Sequence, residues 1–294
     1  IPRAIALGAN QIMLLVFTAI ASSLGGYSVA VYNLADNIQT MPMVVFGTSF
    51  ATAIFPSLAE AVSGDRNSEF SEKIEKMVRT ILFFMVPMTA ILILLRTEIV
   101  RLILGSGFFG WEQTVTTANV LGILALSLVF TGLAPLLSRS FYALHNTKTP
   151  MIVSIIGVVI SIILGKIFSI QYGVSGLAMG YSIGCLFTTI IVYFALRKKA
   201  KFTDEGKLIF FLFKIILATI LMSIAIQESK MLIGLFVDMQ RFWGVLVKTL
   251  SALGIGLLVY ILCCWIFGCE EIASLKYVLT KYNKKPIDEG EEID

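Results

Sequence analysis

Asp36 is the one acidic residue set well inside an apolar run of this chain. It opens a polar stretch, Asp36-Asn37-Ile38-Gln39-Thr40, shortly before Pro42. A charge near the centre of a bilayer costs roughly 2.5–3.5 kcal/mol on insertion scales, so an acid retained there needs water or a hydrogen-bonding neighbour. Two readings stand. Either Asp36, Asn37 and Thr40 line a water-filled cavity, or Asp36 bonds between helices or sits near an interface. Asn10 and Gln11 place two amides inside the first apolar run, and amides in lipid face protein or water. Lys214 and Lys248 lie about one to two turns inside the last two runs. Each either faces a groove between those helices or snorkels, as Lys166 is expected to do near the end of its own run. Gly176, Gly180 and Gly184 recur every fourth residue, a ridge that lets helix backbones approach closely and carries no chemistry.

Nothing in the sequence forms a catalytic constellation. There is no glycine-rich loop ending in Lys-Ser/Thr to cradle a nucleotide. The single histidine, His145, has no nucleophile signature around it. The four cysteines are too scattered for a metal site, and Cys263 and Cys264, being neighbours on a helix, cannot both face one partner. We therefore expect no metal, no cofactor and no enzyme.

The elements that hold these residues follow from composition. Of 294 residues, 57% are hydrophobic and 14% charged, against roughly 25% charged in soluble chains. That deficit excludes a disordered chain, a nucleic-acid-binding domain and an ordinary soluble enzyme. A spanning helix needs about 20 mostly apolar residues. Eight blocks qualify: Ala4–Leu24, Ser28–Ala61, Met77–Leu95, Val115–Leu144, Pro150–Ile170, Val174–Leu196, Leu208–Ile226 and Phe242–Phe267. The fold class predicted is an all-α polytopic membrane protein. The second block is too long for one straight span, and Pro42 and Pro56 predict a kink and an extension beyond the membrane. Thr149-Pro150 reads as an N-cap followed by a proline at the first helical position, and Gly173 as the turn into the sixth helix. Barrel strands would alternate apolar and polar residues over about ten positions, and these blocks do not.

Positive charge marks cytoplasmic loops. Sixteen of the 23 lysines and arginines fall at the two ends and in the even-numbered loops, four in the odd loops and three within spans. Both termini are therefore expected in the cytoplasm.

Four segments in order carry a resemblance. The second block reads Ala35-Asp36-Asn37-Ile38, then Pro42, Gly47, Ala51-Thr52, Pro56 and Leu58. The third outer connection reads Ile99-Val100-Arg101-Leu102, then Gly107-Phe108-Phe109. The fourth loop reads Arg139-Ser140-Phe141-Tyr142-Ala143-Leu144, then Thr147-Lys148-Thr149-Pro150, and the sixth helix opens Gly173-Val174-Ser175-Gly176-Leu177-Ala178. The set resembles the MurJ/MviN family of bacterial lipid II flippases, and covers the second half of that family's pattern. The Phe-Tyr-Ala to Thr-Lys-Thr-Pro stretch is its most specific piece.

The resemblance implies a six-helix transporter lobe over 1–200, an extra transmembrane pair over 201–268 and a cytoplasmic tail over 269–294. It implies translocation of lipid-linked peptidoglycan precursor from the inner to the outer leaflet of the bacterial plasma membrane by alternating access, with Pro42 and the glycine ridge allowing bending. The partners implied are that precursor, membrane lipids and a first lobe. The chain starts at Ile1 and is read as part of a longer protein. The prenyl tail is expected along a groove of the last two helices, beside Lys214 and Lys248. One departure stands out: the family often carries arginine where this chain has Asn37, and an amide cannot balance a pyrophosphate as arginine can. Either the first lobe supplies the cations or a different lipid-linked sugar is handled. Rival readings are a flippase for O-antigen or other polysaccharide units, a drug or ion exporter of the same superfamily, a non-transporting scaffold, or a membrane glycosyltransferase, for which no acidic pair is present.

Overall fold

The computed structural model of the chain describes residues 2–104, 110–200, 205–235 and 242–272. The Gly107-Phe108-Phe109 segment and positions 273–294 of the tail lie outside the described residues. Every regular element among the described residues is helical: α1 (Pro2–Leu24), α2 (Ser28–Pro42), a π-helical segment (Met43–Thr48), α3 (Ser49–Ser63), α4 (Asn67–Leu94), α5 (Arg96–Leu104), α6 (Trp111–Ala143), α7 (Lys148–Tyr172), α8 (Val174–Ala200), α9 (Glu205–Gly234) and α10 (Phe242–Ile266). Seven helical stretches, with α2 to α3 taken as one, are long and apolar enough to cross a membrane, and α1 adds a shorter apolar stretch from Gly8. The chain is an all-α, multi-pass membrane protein.

Successive helices run antiparallel, so the turns at 64–66 and 144–147 share one end of the bundle with the ends of α8 and α10. We call this the basic end. The turns at 25–27 and 173, with α5, lie at the opposite end. The core is α6, which packs on α4, α8 and α2; α7 lies along α8 and α1, and α9 joins α10 and α4.

Three local features depart from or refine the sequence reading. Helix α4 starts ten residues before the expected Met77, because its first turns are amphipathic rather than apolar. Glu69 there accepts ion pairs from Arg66 at 2.8 Å and Lys73 at 2.6 Å, and these hold the exposed Glu69 carboxyl below the usual range, the Lys73 bond first. Pro42 has no N–H to offer the Ile38 carbonyl, and the next six residues wind as a π-helix. The Ser49 N–H then reaches back to the Val44 carbonyl, and Gly47 lies against Gly132 so closely that a Cβ would stand 2.6 Å from its carbonyl oxygen. Pro56 sits inside α3, which runs on to Ser63. The α7 cap is a correction: the helix begins at Lys148 with Thr147, not Thr149, at the N-cap, and Asn146 just before it bonds into the first turn. The Thr149 N–H donates to Asn146 Oδ1 at 3.2 Å while Asn146 Nδ2 donates to Thr149 Oγ1 at 3.0 Å. Pro150 falls at the third helical position rather than the first, still among the N–H groups that have no helical acceptor, so its missing N–H costs no helix bond.

Gly176, Gly180 and Gly184 face α7, where a Cβ would run into Phe168, into the Gly165 backbone and into Ser161. The facing residues Gly157, Ser161, Gly165 and Ser169 have the same four-residue spacing, so two small-residue ridges meet. Gly173, at φ +57°, makes the turn between the two helices, a conformation that suits glycine.

The last pair docks through polar bonds to α4. Pro87 leaves the Phe83 carbonyl without a helical donor, and the Tyr260 hydroxyl of α10 donates to it at 2.8 Å. An orphan carbonyl in lipid costs several kcal/mol, of order 2–7 for an unbonded amide group, so this single bond fixes α10 against α4. Lys230 of α9 likewise donates to the Leu94 carbonyl at 2.8 Å, at the α4 terminus.

Candidate functional site

A cavity of about 550 Å³ lies among α1, α6, α7 and α8, with Met43 of the π segment also lining it. Its lining reaches Tyr142 and Pro150, beside the 144–147 turn, so it occupies the half of the bundle toward the basic end. The helices contribute polar side chains on the faces they turn inward: Asn10 from α1, Arg139 and Tyr142 from α6, Ser154 from α7, Tyr181 and Thr188 from α8. Two threonine hydroxyls of α8 find carbonyl acceptors. Thr188 Oγ1 donates to the Gly184 carbonyl at 2.8 Å, and Thr189 Oγ1 crosses to the Phe130 carbonyl at 3.1 Å.

Arg139 is the one charged residue among those lining the cavity. It is half-buried, and among the described residues no carboxylate pairs with it. An unpaired guanidinium beside a polar recess is a ready partner for an anion with several oxygens. Its presence in a loop motif was plain from the sequence; its direction into a cavity was not, since that depends on the rotation of α6.

The residues singled out from sequence divide. Asn10 lines the cavity. Asp36 does not line it, but is half-buried and interacts electrostatically with Tyr181 and Cys185, which do, and with Tyr32. Gln11 and Asn37 are exposed, and Thr40 is half-buried; none of the three lines the cavity. Gln39, their neighbour, is buried and donates to Ser127 Oγ of α6 at 2.7 Å. Thus α2 shows α6 its Gln39 face and turns Asn33, Asn37 and Met41 outward.

Lys214 and Lys248 are not brought together. Because α9 and α10 are antiparallel, Lys214 sits toward the basic end, its Nζ 4.7 Å above the Phe210 ring, and Lys248 toward the opposite end. There Glu98 of α5, only 7% exposed, accepts an ion pair from Lys230 at 2.8 Å and lies 3.8 Å from Lys248. Burial pushes the Glu98 carboxyl up, but the bonds from Lys230 and Thr97 hold it below the usual carboxylate range. Among the described residues no group of three His, Cys, Asp or Glu could hold a metal ion.

Membrane-length helices around an internal recess that holds one unpaired cation define a polytopic membrane protein with a buried candidate site. The family model of the lipid II flippase MurJ matches residues 1–261, and the chain belongs to that family. A probable lipid II flippase MurJ from Bdellovibrio bacteriovorus is 24% identical over 276 residues, 94% of this chain and 52% of the relative. A solved lipid II flippase MurJ in an inward closed conformation matches with a TM-score of 0.73 and 28% identity, over 91% of this chain and 53% of its own. A MOP superfamily transporter from Pyrococcus furiosus shares the fold, at a TM-score of 0.61 and 13% identity, over 90% of this chain and 63% of its own. The chain spans about half the length of the curated relatives it matches.

Proposed function

We propose that this chain forms one wall of a lipid II flippase, in which the head group of a lipid-linked peptidoglycan precursor crosses the membrane through a polar cavity while its prenyl tail stays in lipid. The observation that carries the reading is the 550 Å³ cavity, apolar over most of its lining, in which Arg139 is the one charged residue. In this reading Arg139 holds the pyrophosphate, and Asn10, Ser154 and Thr188 offer hydrogen bonds to the sugar. Residues 1–200 act as one lobe and 201–268 as an added pair. A first lobe supplies the second wall, facing the outward side of α2 with Asn37. Rocking of the two lobes gives alternating access, with the π segment after Pro42 as the place where the wall bends and the Gly176-Gly180-Gly184 ridge as the part that stays rigid.

In the whole protein, first lobe included, Arg139→Ala should cost the hydrogen bonds of a charged pair, about 1.5–3 kcal/mol, or roughly 10- to 150-fold in transport. Arg139→Lys should retain part of it. The check is growth rescue of cells depleted of their own lipid II flippase, with protein levels matched. Wild-type rescue by the alanine variant would remove Arg139 from the path. A second reading, transport of another lipid-linked saccharide, is favoured by Asn37 in place of arginine; failure to rescue by the unaltered protein, with transport of a polysaccharide unit instead, would select it.

The distribution of lysine and arginine supports a basic end, with both termini, on the cytoplasmic side of the bacterial inner membrane. With the native cysteines replaced, a cysteine at Ser68 should escape an impermeant thiol reagent added outside intact cells, and one at Trp111, 73% exposed at the opposite end, should react. Labelling at Ser68 alone would invert the topology.

A further inference from the structure

A second recess, of about 150 Å³, lies at the basic end between α4, the start of α9 and the segment after α10. It shares no residue with the central cavity. Arg79 lines it, and its Nε is buried without a hydrogen-bond partner. Lys214 lines it too, with Lys207 at its rim of α9. Two carboxylates, Glu270 and Glu271, also line it. Burial pushes the Glu271 carboxyl up, while the charges of Arg79 and Lys214 beside it pull it back down. Beside it α9 shows an apolar face to lipid: Ile209, Phe210 and Phe213 are 67, 62 and 65% exposed.

We propose that this recess binds the phosphate of an anionic phospholipid, with Arg79 and Lys214 on the phosphate oxygens and an acyl chain along Ile209, Phe210 and Phe213. Basic recesses between helices at a membrane face suit such head groups. The recess has room for one phosphate group and lies apart from the central cavity, so its occupant is assigned as a membrane phospholipid rather than the transported precursor. An arginine Nε left without an acceptor in a buried position is costly, and a phosphate oxygen would complete it. The lipid would fill the junction of α4, α9 and α10. This inference rests on the membrane placement of the bundle and is independent of what the chain transports.

The test is native mass spectrometry of the whole protein in neutral detergent, titrated with phosphatidylglycerol, with phosphatidylcholine and with inorganic phosphate. Phosphatidylglycerol should be retained in preference to phosphatidylcholine. Each charge removed should weaken that preference about fivefold, and Arg79→Gln with Lys214→Gln about 30-fold. Lys214→Arg should keep it, which separates loss of a site from loss of folding, and Lys214→Gln alone serves if the double variant does not fold. Equal retention of both lipids, or a preference unchanged by Lys214→Gln, overturns the proposal. Displacement of the lipid by millimolar inorganic phosphate would assign the recess to a free anion and overturn the lipid assignment. Loss of the preference with lipid II transport intact leaves the flippase reading untouched.

Discussion

Replacing Gly180 with leucine should leave no folded protein. The Cβ alone would fall on the Gly165 backbone, and a backbone, unlike a side chain, has no other rotamer to adopt. The α7 and α8 axes would have to part along their whole contact, from Phe168 against Gly176 to Gly157 and Ser161 against Gly184. Ordinary overpacking costs about 1–3 kcal/mol because neighbours shift; here the obstacle is main chain, and in lipid no hydrophobic effect drives the helices back together. Gly254 of α10 is the control, since it is exposed and nothing lies within 4 Å of where its Cβ would be. Thermal unfolding followed by size-exclusion fluorescence should show Gly254→Leu near wild type and Gly180→Leu aggregated. A Gly180→Leu protein that elutes and melts like wild type would mean that the two ridges do not meet as described.

Loss of the Glu98 carboxylate should be the next largest effect. Glu98 is buried between Lys230 and Lys248, and Glu98→Ala would leave the two lysines without their shared counter-ion. Breaking a buried pair by removing one partner costs roughly 3–5 kcal/mol. The loss should loosen α9 and α10 from the lobe while the Tyr260 bond to Phe83 still holds them at mid-height, so cysteines placed along the α4–α9 contact should become reactive before the bundle unfolds. The sign of the pH dependence follows from the depressed carboxyl. Its stabilisation is present above the ordinary value of 4.5, and is lost as pH falls through the lower folded value. Wild type should therefore lose thermal stability on acidification in that window, and Glu98→Gln should not show that loss. A Glu98→Gln protein with the same acid profile as wild type would place the titrating group elsewhere.

What the sequence made legible was set by local chemistry. Apolar runs of membrane length located the spans because a lipid-exposed backbone must be helical, and Gly173 marked a turn because few other residues take its φ. Features that depend on rotation or on distant partners were hidden. Helix α5 carries Arg96, Glu98 and Arg101 and has no apolar run to betray it, yet it supplies the counter-ion of Lys230 and Lys248, more than 130 residues away. The ridge Gly157, Ser161, Gly165, Ser169 is interleaved with Ile and Val and reads as plain apolar helix until α8 is set against it. Thr147 rather than Thr149 is the N-cap of α7, because threonine suits either position and the backbone start decides. Asn37 and Arg139 show the same limit at the site. A motif position drew attention to Asn37, which turns outward, whereas Arg139, read as one more loop charge, faces the cavity because α6 extends as helix to Ala143.

The central claim is that a lipid-linked head group passes through the cavity of α1, α6, α7 and α8. A single cysteine at Ser154, on its wall, in a whole protein lacking the native cysteines, tests it most directly. In proteoliposomes, a small hydrophilic thiol reagent should modify that cysteine and stop lipid II translocation, added lipid II should slow the modification, and a cysteine at the lipid-facing Ile163 should remain unreactive with transport intact. Modification at Ser154 that leaves translocation running at its full rate, with labelling indifferent to lipid II, would contradict the account.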